Sequence, residues 1–138
     1  MPNLPLHHLG IATRDIQTEL RVYETLGYSI CSDIFTDERQ KIRGLFIQAA
    51  NAPRLELLEN LEEKGPLDSL LAKGIKIYHM AYVSKDIVHD ATLLETECLA
   101  KIFVPIMPAT YFDKVCFGML PNHSIIELVQ LKESHGLF

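Results

Sequence analysis

Residues 8–16 read HLGIATRDI, and residues 79–87 read HMAYVSKDI. An offset of 71 residues (79 − 8) lays His8 on His79, Asp15 on Asp86 and Ile16 on Ile87. Small residues fall on small ones, Gly10 on Ala81 and Ala12 on Val83, and Arg14 falls on Lys85. The same offset carries Arg43 to Lys114, Phe46 to Phe117, and Glu56 of RLELLEN to Glu127 of IIELVQ. One gapless offset thus relates both ends of two copies, which marks an internal repeat.

Each copy carries the same local signals. Leu6–Ala12 is a short apolar run of period two, which reads as a strand. Thr13 and Asp15 open a helix, where a carboxylate suits the positive end of the helix dipole. Ile16, Leu20, Tyr23 and Leu26 keep helical spacing, and Gly27 is the C-terminal stop. Strands near 28–32, 42–49 and 54–59 follow. The second copy repeats the order as a strand at 77–83, a helix at about 87–99, and strands at 101–107, 114–119 and 124–131. Between the copies, EEKGPLDSLLAKG predicts a short helix over 67–73, with Pro66 at its first helical position and Gly74 just past its end. The expected fold class is α+β: two tandem βαβββ modules with pseudo-twofold symmetry, forming a cleft between curled mixed sheets. One domain over 1–138 is expected, with module one at about 6–60, a linker at about 61–76 and module two at about 77–131.

Composition removes several classes. With 138 residues and 48% apolar side chains, the chain has material for a folded core. The net charge of −5 and the lack of a basic stripe argue against nucleic acid as a partner. No apolar run reaches the length of a membrane span, and the start MPNLPLHHLGIA lacks the pattern of a signal peptide. Cys31, Cys98 and Cys116 are odd in number, with no CxxC spacing, so neither a disulfide framework nor a thiolate metal site is expected. These features point to a cytoplasmic protein. The slightly positive mean hydropathy leaves room for a homodimer face.

Strand alternation selects the residues of chemical interest. His8, Gly10 and Ala12 share one face of the first strand, and His79, Ala81 and Val83 share one face of its counterpart. The opposite faces are bulky and suit packing on a helix. Glu56 and Glu127 are carboxylates inside apolar strands, where an unpaired charge would be costly unless bound to a partner or a metal. A lone strand histidine is ordinarily structural, and a lone strand glutamate ordinarily faces solvent. Those readings weaken when one offset relates all four. Two imidazoles and two carboxylates suit one divalent ion of Co, Ni, Zn, Mn or Fe. His7 points to the other face; His89, His123 and His135 read as structural or surface residues.

HHLGIATRDI, RLELLEN, HMAYVSKDI and IIELVQ resemble the signature strands of the vicinal oxygen chelate superfamily, the glyoxalase, bleomycin resistance and dioxygenase fold. The resemblance spans roughly residues 6–131. It implies His8, Glu56, His79 and Glu127 as metal ligands. The linker GPLDSLLAKGIKIYHMAY is most similar to methylmalonyl-CoA epimerase-like proteins. The implied activity is that of a metal-dependent isomerase, epimerase or lyase, removing a proton beside a metal-bound carbonyl through an enediolate. Glu127 is the first candidate for the base and Glu56 the second. The implied substrate is a small molecule, anionic or a thioester. Two alternatives stand beside it: a small-molecule binding protein of the resistance type, and a metal-dependent oxygenase.

The sequence departs from the family pattern in places. Some epimerases of this type carry a catalytic glutamate on the third strand of module one. That position falls near Gly44, and residues 41–48 hold no acid. The segment PATYFDK, with Tyr111 and Phe112, replaces a glycine-rich turn, and reads either as a different substrate pocket or as a variable loop. Arg43 and Lys114 occupy matched positions, facing either an anionic substrate or solvent.

Overall fold

The computed structural model describes residues 3–133 and 136–138, so the expectation for His135 lies outside the described residues. Twelve elements follow in chain order among them: β1 (Leu6–Ala12), α1 (Ile16–Thr25), β2 (Ser29–Ile30), β3 (Phe35–Asp37), β4 (Ile42–Gln48), β5 (Leu55–Asn60), α2 (Asp68–Ala72), β6 (Ile77–Val83), α3 (Ile87–Glu97), β7 (Lys101–Met107), β8 (Lys114–Met119) and β9 (Ile125–Gln130). The architecture is α+β with mixed strand pairing. The chain divides into two compact units, His8–Tyr78, and His79–Phe138 with the segment ending at His7. The divisions fall immediately before His8 and His79, so they too obey the repeat.

In the first unit, β1 runs parallel to β5, β5 antiparallel to β4, and both β2 and β3 pair antiparallel with β4. Ile16 and Leu20 of α1 bury against Ile11, Leu45, Ile47, Leu55 and Leu57, the bulky faces of the strands. Burial of each such side chain contributes about 1.5–3 kcal/mol. On the other face, Leu67 joins Ala12, Ile42 and Leu58, with Leu70, Leu71 and Tyr78 packed beside them.

The second unit repeats the plan. Strand β6 runs parallel to β9, β9 antiparallel to β8, and β8 antiparallel to β7, with irregular register along β7. Ile87, Ala91 and Leu94 of α3 bury against Cys116, Ile126 and Leu128. The N-terminal segment belongs here, with the Pro5 carbonyl accepting from Val83 N at 2.8 Å and Leu4 packed on the core.

The repeat extends to single hydrogen bonds. Asp15 caps α1 by accepting from Thr18 N, and Asp86 caps α3 by accepting from His89 N. Ile16 N donates to Glu59 Oε1 at 3.0 Å, and Ile87 N donates to Gln130 Oε1 at 3.2 Å. Thr13 N donates to the Leu58 carbonyl and Ser84 N to the Val129 carbonyl, both at 2.8 Å. Each bond has its counterpart 71 residues on.

Four details differ from expectation. The strand expected over 28–32 shrinks to two residues. Strand β3 is an addition: Gln40 N donates to Asp37 Oδ1, closing a turn that folds Phe35–Asp37 back on β4. Leu67 is the cap residue of α2, so Pro66 precedes the cap instead of opening the helix. Helix α3 ends at Glu97, and Leu99 takes a left-handed φ of 56°. Gly27 and Gly74 do stand just past their helices, at φ of 97° and 73°, where glycine carries no Cβ penalty. On the bulky face of β6, Tyr82 packs on the α3 core, whereas Met80 is 37% exposed. No helix among the described residues is long and apolar enough to cross a membrane.

Candidate metal centre

Register places each histidine beside its glutamate. In the first unit, Gly10 stands opposite Glu56 across the parallel β1–β5 pair. Phe46 stands opposite Glu56 from β4, and Gly44 opposite Leu58. Directly opposite residues share a face, so His8, Gly10, Gly44, Phe46, Glu56 and Leu58 line one side while α1 covers the other. His8 Nε2 lies 3.2 Å from Glu56 Oε1. The His8 ring meets Phe46 edge-on, with centroids 5.1 Å apart. His8 is 0% exposed and Glu56 7%.

The second unit builds the same arrangement. Ala81 and Phe117 flank Glu127 in register. His79 Nε2 lies 3.2 Å from Glu127 Oε1, and the His79 ring meets Phe117 edge-on at 5.3 Å. His79 is 2% exposed and Glu127 4%.

Both pairs fit a divalent ion. Two donors held side by side on one ion at ~2.1 Å lie about 3 Å apart, close to the spacing within each pair. A direct charge-assisted N–H···O bond is usually shorter, about 2.7–2.9 Å. Each pair offers one imidazole nitrogen and one carboxylate oxygen, all four residues being buried. That donor chemistry suits first-row divalent ions.

The remaining sequence candidates sort by face. Arg43 stands opposite Glu59 and bridges it at 3.1 Å, on the helix side of the sheet. Lys114 stands opposite Gln130, on the helix side of the second unit. Strand alternation therefore turns both basic residues away from the His/Glu faces, and neither is placed to meet an anion there. Phe112 is buried and meets His7 edge-on at 5.0 Å, while Tyr111 stacks on Phe138 at 4.5 Å. His7 Nε2 lies 2.5 Å from the Leu137 carbonyl. These contacts tie PATYFDK to the end of the chain and give His7 a structural role. His89 and His123 are exposed, on a helix and in a turn.

One residue of the first face was not foreseen. Phe35 of β3 stands opposite Gly44, and its ring covers that glycine. No local pattern marks it, because Phe35–Asp37 is too short for alternation to separate a strand from a loop.

The model of the Glyoxalase/Bleomycin resistance protein/Dioxygenase superfamily matches residues 7–117. No curated protein matches the chain by sequence. Among solved structures, a hypothetical protein from Bacillus halodurans C-125 is similar at a TM-score of 0.82 and 22% identity, over 98% of this chain and 99% of that one. Methylmalonyl-CoA epimerase from Mycobacterium tuberculosis is similar at 0.79 and 20% identity, over 94% and 89%. A variant of the Streptomyces coelicolor methylmalonyl-CoA epimerase, in complex with 2-nitronate-propionyl-CoA, is similar at 0.78 and 21% identity, over 95% and 100%. At these identities the structural likeness speaks for the fold, and the family match for descent: the chain belongs to the glyoxalase/bleomycin resistance protein/dioxygenase superfamily.

Proposed function

We propose that this protein is a divalent-metal-dependent isomerase, epimerase or lyase, with His8, Glu56, His79 and Glu127 as one ligand set. The observation that supports this reading is the repeated buried pair, His8 with Glu56 and His79 with Glu127, at equal spacing. A buried carboxylate is costly unless it is paired or ligates, and a repeat that keeps two such pairs in one register favours a shared purpose. A bound Co, Ni, Zn, Mn or Fe ion would supply Lewis-acid stabilisation of negative charge developing on a substrate oxygen.

The chain's own residues divide the remaining tasks. Glu127 is the first choice to take the proton beside the substrate carbonyl, with Glu56 second. Phe46 and Phe117 hold the two imidazole rings edge-on, which fixes their orientation without competing for the ring nitrogens. Epimerisation between two matched acids is disfavoured, because β4 reads IRGLFIQ and offers no second acid. The substrate class is a small molecule, anionic or a thioester; the epimerases of like fold, one of them in complex with methylmalonyl-CoA, support that class. A cytoplasmic homodimer completes the reading.

Elemental analysis of the purified protein, before and after a chelator, tests it. The expected result is close to one divalent ion per chain, removed by the chelator. Cobalt, nickel or zinc fits the isomerase, and iron with oxygen consumption would move the assignment to an oxygenase. A chain that takes up no ion even on reconstitution overturns the reading and leaves a binding protein.

A further inference from the structure

We propose that Phe35 is the specificity wall on the His8–Glu56 side, selecting a substrate that carries its metal-binding oxygen on a flat or apolar group. The proposal rests on the metal-site reading above and deepens it.

The geometry begins with β3. Phe35 stands opposite Gly44 across the antiparallel β3–β4 pair, and so shares the face that carries Phe46, Glu56 and His8. A Cβ built on Gly44 would lie 2.3 Å from Phe35 Cζ and 2.7 Å from Cε1. The ring therefore fills the volume that a side chain at position 44 would need. It stacks on Phe46, with centroids 5.7 Å apart and planes 18° from parallel, and Phe46 in turn meets His8. Phe35, Phe46 and His8 form a continuous aromatic run, and Phe35 is only half-buried.

Two consequences follow. No acid or base of β4 reaches this side, since the backbone at Gly44 is roofed by carbon. A charged substituent placed here would lose hydration against aromatic rings without a partner. A flat apolar substituent gains contact with a ring, an effect worth roughly three- to tenfold in affinity. Phe35 thus sorts ligands that present the same oxygens to the same ion.

The test uses the full chain loaded with Co²⁺ and two probes, acetohydroxamate and benzohydroxamate, which offer the same pair of vicinal oxygens on a methyl or a phenyl group. Binding is read from the visible Co²⁺ spectrum. The expected result is a preference for benzohydroxamate, reduced roughly three- to tenfold in Phe35→Ala, with Co²⁺ affinity unchanged. Phe35→Leu, which keeps apolar volume but not the flat ring, should show the same reduction and decides the matter if Phe35→Ala does not fold. Phe35→Tyr should retain the preference. A loaded protein whose preference is the same in native and Leu variants overturns the wall and leaves the metal site standing. A protein that takes up no Co²⁺ overturns both.

Discussion

His8 and Glu56 meet through Nε2 and Oε1 at 3.2 Å, and the same atoms of His79 and Glu127 meet at 3.2 Å one repeat later. Equal geometry at equivalent registers makes a symmetrical prediction. Glu56→Gln and Glu127→Gln each replace a charged donor with a neutral one, and each should weaken Co²⁺ binding by at least about tenfold. Titration calorimetry on the full chain reads both. Ion at a hundred times its Kd should stabilise the native chain by about 2.7 kcal/mol, and EDTA should remove the gain. Unchanged affinity in either variant would remove that glutamate from the ligand set.

Ser84 and Asp90 form a further buried polar contact, outside the two His/Glu pairs. Ser84 Oγ donates to Asp90 Oδ2 at 2.5 Å and accepts from Asp86 N at 3.2 Å. Ser84 is 1% exposed and Asp90 4%. The contact ties the first turn of α3 to the end of β6. Ser84→Ala removes the donor from a buried carboxylate, which costs about 1–3 kcal/mol. Urea unfolding should show that loss, with Co²⁺ affinity unaltered. A stability change under about 0.5 kcal/mol would mean that water replaces the hydroxyl.

Cys116 gives the chain an alkaline signature. Burial, with the Glu127 charge second, pushes its thiol up to about 11. An unfolded chain's cysteine ionises near 8.5, so on raising pH the unfolded state loses this proton first. The contribution to stability is whole below that value and falls as pH climbs through about 11. Cys116→Ala should flatten that part of the pH profile relative to the native chain. In labelling with iodoacetamide at pH 8, Cys116 should stay unmodified until the protein unfolds. Labelling of Cys116 as fast as the half-buried Cys98 would show that the α3 core opens readily.

The repeat was legible in the sequence because it is written in residue types that each position requires. Histidine and glutamate recur on the small-residue face, and aspartate recurs at both helix starts. Periodicity then located both helices and the longer strands. Strand β3 escaped because three residues carry too little periodicity to separate a strand from a loop. Phe35 over Gly44 escaped for a different reason: a ring filling a neighbour's empty Cβ volume is a tertiary contact with no local signal. Arg43 and Lys114 show an opposite failure. Each stands three residues, an odd number, before the phenylalanine that faces its glutamate, Phe46 or Phe117, so alternation alone places it on the helix side and its exclusion from the site was readable.

One difference between the modules lies in a single residue. After α1, the left-handed position that ends the helix is held by Gly27, at φ of 97°. After α3, one residue longer, it is held by Leu99, at φ of 56° and 68% exposed. A left-handed backbone costs a side chain with a Cβ roughly 1–2 kcal/mol, and glycine avoids that cost at about 0.5–1 kcal/mol of extra chain entropy. Leu99→Gly should therefore stabilise the protein by about 0.5–1 kcal/mol, a rise of a few degrees in melting temperature. Gly27→Leu should lower stability by a similar amount, since nothing lies within 4 Å of a Cβ there to reward the larger side chain. Leu99 also lines an apolar groove with Phe103, Met119 and Pro121. If Leu99→Gly melts lower than the native chain, the groove contacts outweigh the backbone strain, and the leucine is held there for what it covers.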